Sequence, residues 1–213
     1  MFNILRSTNG DWRETLIILV FYVFAVLSAL ILHEIAHGWV AYKCGDPTAK
    51  FARRLNFNPA NHLDPFGTLC FLLIGFGWAK PVPINPYNFR NFKKGSFLVS
   101  IAGIVTNLII GFVASLFWVL LRDSGSVWVE FFYFVVLVNV SFAVFNFLPI
   151  PPLDGFNIWA SLSKPNNRTV LWLRDNQMTM LVVLIMVIQL TNIIQYLQSV
   201  VLLIFLNFWL LFL

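Results

Sequence analysis

TLIILVFYVFAVLSALILHEIAHGWVAY, residues 15–42, is the stretch that decides the fold. Residues 15–32 carry no charge and are almost wholly apolar. A helix rising 1.5 Å per residue needs about 20 such positions to cross some 30 Å of hydrocarbon. The run therefore reads as a membrane span, yet it continues straight into His33-Glu34-Ile35-Ala36-His37 before turning apolar again. Residues four apart on a helix share a face, so His33 and His37 can present imidazole nitrogens to one ion about 2.0–2.1 Å away. Glu34 is offset enough to avoid ligation and near enough to take a proton from water that a metal activates. Ionisable side chains inside a span are kept mainly for function. The chain holds only 3 His and, read directly, three Glu, so their meeting as HExxH by chance has low odds.

Outward from this stretch the composition fits the same solvent. Of 213 residues 59% are hydrophobic, 17% aromatic and only 11% charged; soluble domains carry about a quarter charged residues. We expect one integral membrane domain, residues 1–213, with a catalytic core over about 15–160 and hydrophobic helix or helices over 178–213. The net charge of +5 is unevenly placed. Lys43, Lys50, Arg53, Arg54, Lys80, Arg90, Lys93 and Lys94 cluster after the first span, and Lys164, Arg168 and Arg174 after the third. Only Arg6, Arg13 and Arg122 lie elsewhere. Basic loops face the cytoplasm, which sets the first span running inward and puts the histidines toward the cytoplasmic side of a plasma or inner membrane. A nucleic-acid patch is excluded because these cations flank apolar spans. Cys44 and Cys70 fall on the reducing side, where a disulfide is not expected. The apolar stretch within residues 1–32 is too long for a cleaved signal peptide, so it is expected to be retained.

The predicted fold class is an all-α multi-pass membrane protein with about four to five transmembrane helices. Gly45-Asp46-Pro47 stops the first span with turn chemistry. Residues 66–79 are apolar but too short for an easy crossing, and Pro81, Pro83 and Pro86 hold the following chain extended. A short re-entrant or β segment is expected there, between the first and second spans. Further spans cover residues 97–121 and 127–148, the latter ending at Pro149-Ile150-Pro151-Pro152. Residues 156–177 read as a loop with a short surface helix. Residues 178–213 are apolar but interrupted at Thr191-Asn192, which allows one tilted crossing or two imperfect ones.

Zinc in a catalytic site takes three protein ligands and keeps one position open. The third is sought among the remaining acids and His62. Asp154 is best placed, because the prolines before it leave non-helical backbone at membrane depth, tolerated only against protein or a wet cavity. His62 is expected to be a loop residue with a local hydrogen bond, and Glu130 receives no role.

These residues together resemble the site-2 proteases, zinc metalloproteases that cut within membranes, and especially the short bacterial branch without a PDZ insertion. The resemblance runs through His33–Gly38, Gly45-Asp46-Pro47-Thr48-Ala49, His62-Leu63-Asp64-Pro65-Phe66-Gly67, Trp78 to Pro86, and Asn146 to Gly155. It implies one zinc per chain on His33, His37 and Asp154, with Glu34 as general base. It also implies Asn146 as a stabiliser of the tetrahedral intermediate, a membrane-embedded protein as substrate, and regulated intramembrane proteolysis as the setting. The family's Gly-Pro-x-x-Asn appears here without its proline, as Gly103-Ile104-Val105-Thr106-Asn107, so Asn107 is left outside the expected site. The extended segment 75–88 is an expected edge for an unwound substrate strand. Two rivals remain at this stage. A peptidase acting on prenylated proteins takes a downstream Glu ligand, and no Glu follows residue 130. A non-catalytic zinc-binding scaffold or metal transporter would need more ligands along a path.

Overall fold

A computed structural model of the chain describes residues 12–67 and 79–212. Four helices are long and apolar enough to cross a membrane: α1 (Trp12–Cys44), α4 (Phe92–Leu121), α5 (Trp128–Phe147) and α9 (Ile193–Leu210). Short helices α2 (Thr48–Phe51) and α3 (Pro59–His62) follow α1, and a 3-10 turn at Pro86–Asn88 precedes α4. Between the last two spans lie α6 (Asp154–Leu162), α7 (Arg168–Asp175) and α8 (Gln177–Leu190). No strand occurs among the described residues. The expected re-entrant or β segment falls mainly on residues 68–78, outside them. At its margins Leu63 and Ala79 form an isolated antiparallel bridge, and the Lys80 N–H donates to the His62 carbonyl at 2.8 Å.

Helices α1, α4 and α5 pack on one another, α6 packs on α4, and α9 lies against α4 and α5. Lipid is as apolar as leucine, so close packing and hydrogen bonds rather than hydrophobicity decide which faces meet. Fully buried Ala25 and Ala29 let α1 approach a cluster that includes Val136 and Val140 of α5. The Trp209 indole N–H donates to Ser115 Oγ at 2.9 Å, tying α9 to α4, and Gln198 Nε2 donates to the Leu137 carbonyl at 3.2 Å, tying α9 to α5.

Two turns bring the chain back to one end of this bundle. After α1, Gly45 adopts φ +114°, a conformation glycine takes without a Cβ penalty. Buried Asp46 then accepts hydrogen bonds from the Thr48 N–H and hydroxyl, the Asn85 N–H and Asn88 Nδ2. Burial alone would raise its carboxyl, but these donors hold it below the usual carboxylate range. Asp46 thereby pins residues 85–88 beside the end of α1. After α5, Pro149 to Pro152 reverse the chain so tightly that a Cβ on Gly155 would lie 2.1 Å from the Phe147 carbonyl oxygen. That approach sets the start of α6 against the end of α5.

The C-terminal region divides where the sequence is interrupted: α8 ends at Leu190 and α9 begins at Ile193. The loop expected at 156–177 is largely helical, as α6 and α7. Helix α7 meets α8 at an 81° bend. The contacts of α8 are mainly with α7, and Met178, Met186 and Leu190 on it are exposed.

Candidate metal centre

His33 and His37 lie one turn apart on α1, only 6% and 7% exposed. Asp154, first residue of α6, reaches them from the chain reversal after α5. Its Oδ2 lies 3.1 Å from His33 Nε2 and 3.2 Å from His37 Nε2, and the two Nε2 atoms are 3.0 Å apart. This is the group of three His, Cys, Asp or Glu side chains among the described residues whose ligand atoms converge.

The far sides of both rings are engaged. His37 Nδ1 is 2.7 Å from the Val99 carbonyl oxygen, which can only accept, so Nδ1 carries the proton and donates. His33 Nδ1 faces Asn107 Oδ1 at 2.6 Å. With both Nδ1 atoms donating outward, the neutral rings turn bare Nε2 lone pairs toward each other and toward a carboxylate. Asp154 Oδ2 is buried with no hydrogen-bond donor of its own. Three electron-pair donors at this separation repel one another unless a cation lies among them. Tetrahedral bonds of 2.0–2.1 Å place neighbouring donors about 3.3 Å apart, close to the spacing seen. Two imidazoles and one carboxylate are the ligand set of a catalytic zinc site, and outward Nδ1–H donation is the usual way such ligands are held. The residues present fit the ion.

Helix α4 supplies the backing. Val99, Gly103 and Asn107 recur every fourth residue and match the spacing of the histidines on α1. Val99 supports His37 and Asn107 supports His33. Gly103 leaves room between them: a Cβ there would lie 2.5–2.6 Å from three atoms of the His33 ring.

Glu34 stands beside the cluster, and its Oε2 accepts the Val82 N–H at 2.8 Å. Prolines on both sides of Val82 have no N–H, so this donor is isolated on an extended piece of chain. A cavity of about 890 Å³ opens here, with His33, Glu34, His37, Asn146 and Asp154 in its wall together with Lys93, Lys164 and Arg174. Asn146 lines it while giving one N–H to the Phe142 carbonyl at 3.0 Å. His62 is elsewhere, fully buried, with Nε2 on the Asn56 carbonyl at 2.8 Å.

The structure therefore brings together all five residues singled out in the sequence: His33, Glu34, His37, Asn146 and Asp154. It adds Asn107, Gly103, the Val99 carbonyl and the Val82 N–H, and behind Asn107 the amide of Asn139. Of these, Asn107 had a readable signal, as the lone amide within its apolar span.

Membrane-crossing helices around a two-histidine, one-carboxylate cluster with an adjoining glutamate point to the membrane metalloproteases, and comparison with known proteins agrees. The sequence pattern of peptidase family M50 matches residues 121–190. The chain is 42% identical over 156 residues to "Putative zinc metalloprotease YwhC" of Bacillus subtilis, covering 70% of this chain and 71% of that one. On these matches it belongs to peptidase family M50, the site-2 protease family. More distant relatives are "Putative zinc metalloprotease Rip2" of Mycolicibacterium smegmatis and "Putative zinc metalloprotease MJ0611" of Methanocaldococcus jannaschii. The first is 27% identical over 61% of this chain and 52% of its own length. The second is 26% identical over 71% and 78%. No solved structure matches.

Proposed function

We propose that this chain is an intramembrane zinc endopeptidase that hydrolyses peptide bonds in transmembrane or membrane-associated protein segments. His33, His37 and Asp154 hold one zinc ion, Glu34 is the general base, and Asn146 assists the developing oxyanion. The observation that carries the reading is the convergence of three electron-pair donors within 3.2 Å in the wall of a cavity shared with Glu34. Zinc bound there would act as a Lewis acid toward water and toward the scissile carbonyl.

The chain's own groups supply the remaining chemistry. The Val82 N–H fixes Oε2 of Glu34 and leaves Oε1 to accept the proton of the attacking water. The same carboxyl then delivers that proton to the leaving amine. Asn146 keeps one amide hydrogen beyond its bond to Phe142. An amide N–H directed at an oxyanion in a dry site contributes about 3–4 kcal/mol. A substrate helix hides its amides in its own hydrogen bonds and must unwind before attack. Within the segment 75–88 expected to receive an unwound strand, the N–H groups of Lys80, Val82 and Asn85 are already given to His62, Glu34 and Asp46 and Pro81 and Pro83 have none, so pairing there would fall to carbonyl groups and the Ile84 N–H. The basic residues at this end of the bundle set it toward the cytoplasm. The whole chain acts as one membrane domain.

The test is purified Glu34→Gln protein reconstituted with a tagged membrane-spanning segment. It should keep its zinc and lose cleavage, and full cleavage by this variant would remove Glu34 from its role. Zinc flux into proteoliposomes without any cleavage by the wild type would favour a transporter instead.

A further inference from the structure

We infer that Asn139 of α5 is a positioning residue that sets, through Asn107, which nitrogen of His33 is free to bind a metal. The inference rests on the reading of His33 as a ligand and deepens it.

The argument runs from a group whose polarity has no alternative. The Val135 carbonyl can only accept a hydrogen bond. The Asn139 side-chain atom 2.8 Å from it is therefore nitrogen, and the other end of that amide, Oδ1, turns toward Asn107. The Asn107 atom 2.9 Å from Oδ1 must then be its NH2. That same NH2 reaches the Ala29 carbonyl at 3.3 Å, a second obligate acceptor. With the nitrogen of Asn107 committed on two sides, its oxygen faces His33 Nδ1 at 2.6 Å. His33 is thus held with the proton on Nδ1 and a lone pair on Nε2. Were the Asn107 amide reversed, its NH2 would face Nδ1, the proton would move to Nε2, and the ligating lone pair would be lost.

Asn107 and Asn139 are both fully buried. An amide's two ends are nearly the same size, so packing alone does not choose between them. The Val135 carbonyl on α5 chooses, backed by the Ala29 carbonyl on α1 at the longer 3.3 Å, and the α5 choice passes through two amides to the metal ligand on α1.

Asparagine, aspartic acid and leucine are near-isosteric, which separates this role from a structural one. Asn139→Leu removes the acceptor that orients Asn107, whereas Asn139→Asp retains it. As its neutral acid, aspartate can also donate to Val135. The relay predicts that leucine lowers zinc affinity about 10- to 100-fold and that aspartate retains most of it. A merely structural role predicts the reverse, because an apolar residue is the cheaper one to bury. The second readout is the ¹⁵N spectrum of histidine-labelled, metal-free protein, in which only 3 imidazole rings occur. Recorded at alkaline pH, where no proton stands in for the cation among the three donors, His33 should hold a single Nδ1–H tautomer in the wild type and the aspartate variant, and a mixture in the leucine variant. Asn139→Ala, expected to behave as leucine does, serves if leucine does not fold. A single Nδ1–H tautomer in the leucine or alanine variant overturns the relay, whatever happens to zinc affinity. His33→Ala is the separating control: if it binds zinc as the wild type does, the ligand reading fails and not only the relay.

Discussion

Gly103→Ala is the substitution for which the structure predicts effects of opposite sign on the helix and on the metal site. Alanine is the better helix former by about 1 kcal/mol, so on propensity alone α4 gains. The added methyl, however, would lie 2.5–2.6 Å from Cε1, Nδ1 and Nε2 of His33, where ordinary contact begins at 3.4 Å. The His33 ring must move by close to 1 Å, because the methyl faces the ring and not the tip of a flexible chain. The ring has the cavity to move into, so the fold survives. Ligand geometry, in contrast, tolerates only about 0.2 Å, and misplacement by 1 Å is enough to cost about 100-fold in a catalytic step. The expected result is a drop of at least about 10-fold in zinc affinity, with thermal unfolding of the metal-free protein in detergent unchanged or slightly raised. Competition against a chromophoric chelator measures the first, and circular dichroism on heating measures the second. Wild-type zinc affinity in Gly103→Ala would refute the close packing of α4 on His33.

Other outcomes follow from the same contacts. Gly155→Ala should be more damaging to folding, since its Cβ meets the backbone carbonyl of Phe147 at 2.1 Å and backbone cannot rotate away; a lowered unfolding temperature and lost zinc would appear together. Asp46→Asn removes a carboxylate that accepts from Thr48, Asn85 and Asn88 and should lose about 1–3 kcal/mol in chemical unfolding. Because the folded pKa of Asp46 is depressed, its contribution is present above the unfolded value of about 3.9 and fades as pH falls through the folded value. The wild type should therefore lose stability on acidification in a way that Asp46→Asn does not. For topology, a single cysteine at Lys94 should react with an impermeant maleimide only in inside-out vesicles and one at Ser124 only in right-side-out vesicles; the opposite pattern would reverse the assigned orientation.

The parts of the site that follow from local periodicity were legible in the sequence. His33 and His37 needed only the four-residue repeat of a helix, whereas Asp154 needed the proline-broken backbone at bilayer depth together with the resemblance to the site-2 proteases. Gly103, Asn139 and the Val82 N–H were not legible in that way. Their roles depend on which faces of α4, α5 and the extended segment meet α1, and hydropathy does not encode this when lipid-facing and core-facing residues are equally apolar. Asn107 shows the boundary well. It stood out as an amide in a span, but its meaning appeared only when α4 was seen to set it against His33. The C-terminal region was partly readable: Thr191-Asn192 interrupts the apolar run, whereas the 81° bend between α7 and α8 has no proline or glycine to announce it.

The central claim is that one carboxylate and two imidazoles hold a single zinc below the lipid surface. X-ray absorption at the zinc edge of the purified protein tests it most directly. The account predicts one zinc per chain with two imidazoles and an oxygen shell at about 2.0–2.1 Å, the shell losing an oxygen or the ion being lost in Asp154→Ala and unaffected by His62→Ala. A sulfur scatterer, a third imidazole, or an unchanged spectrum in Asp154→Ala would contradict it.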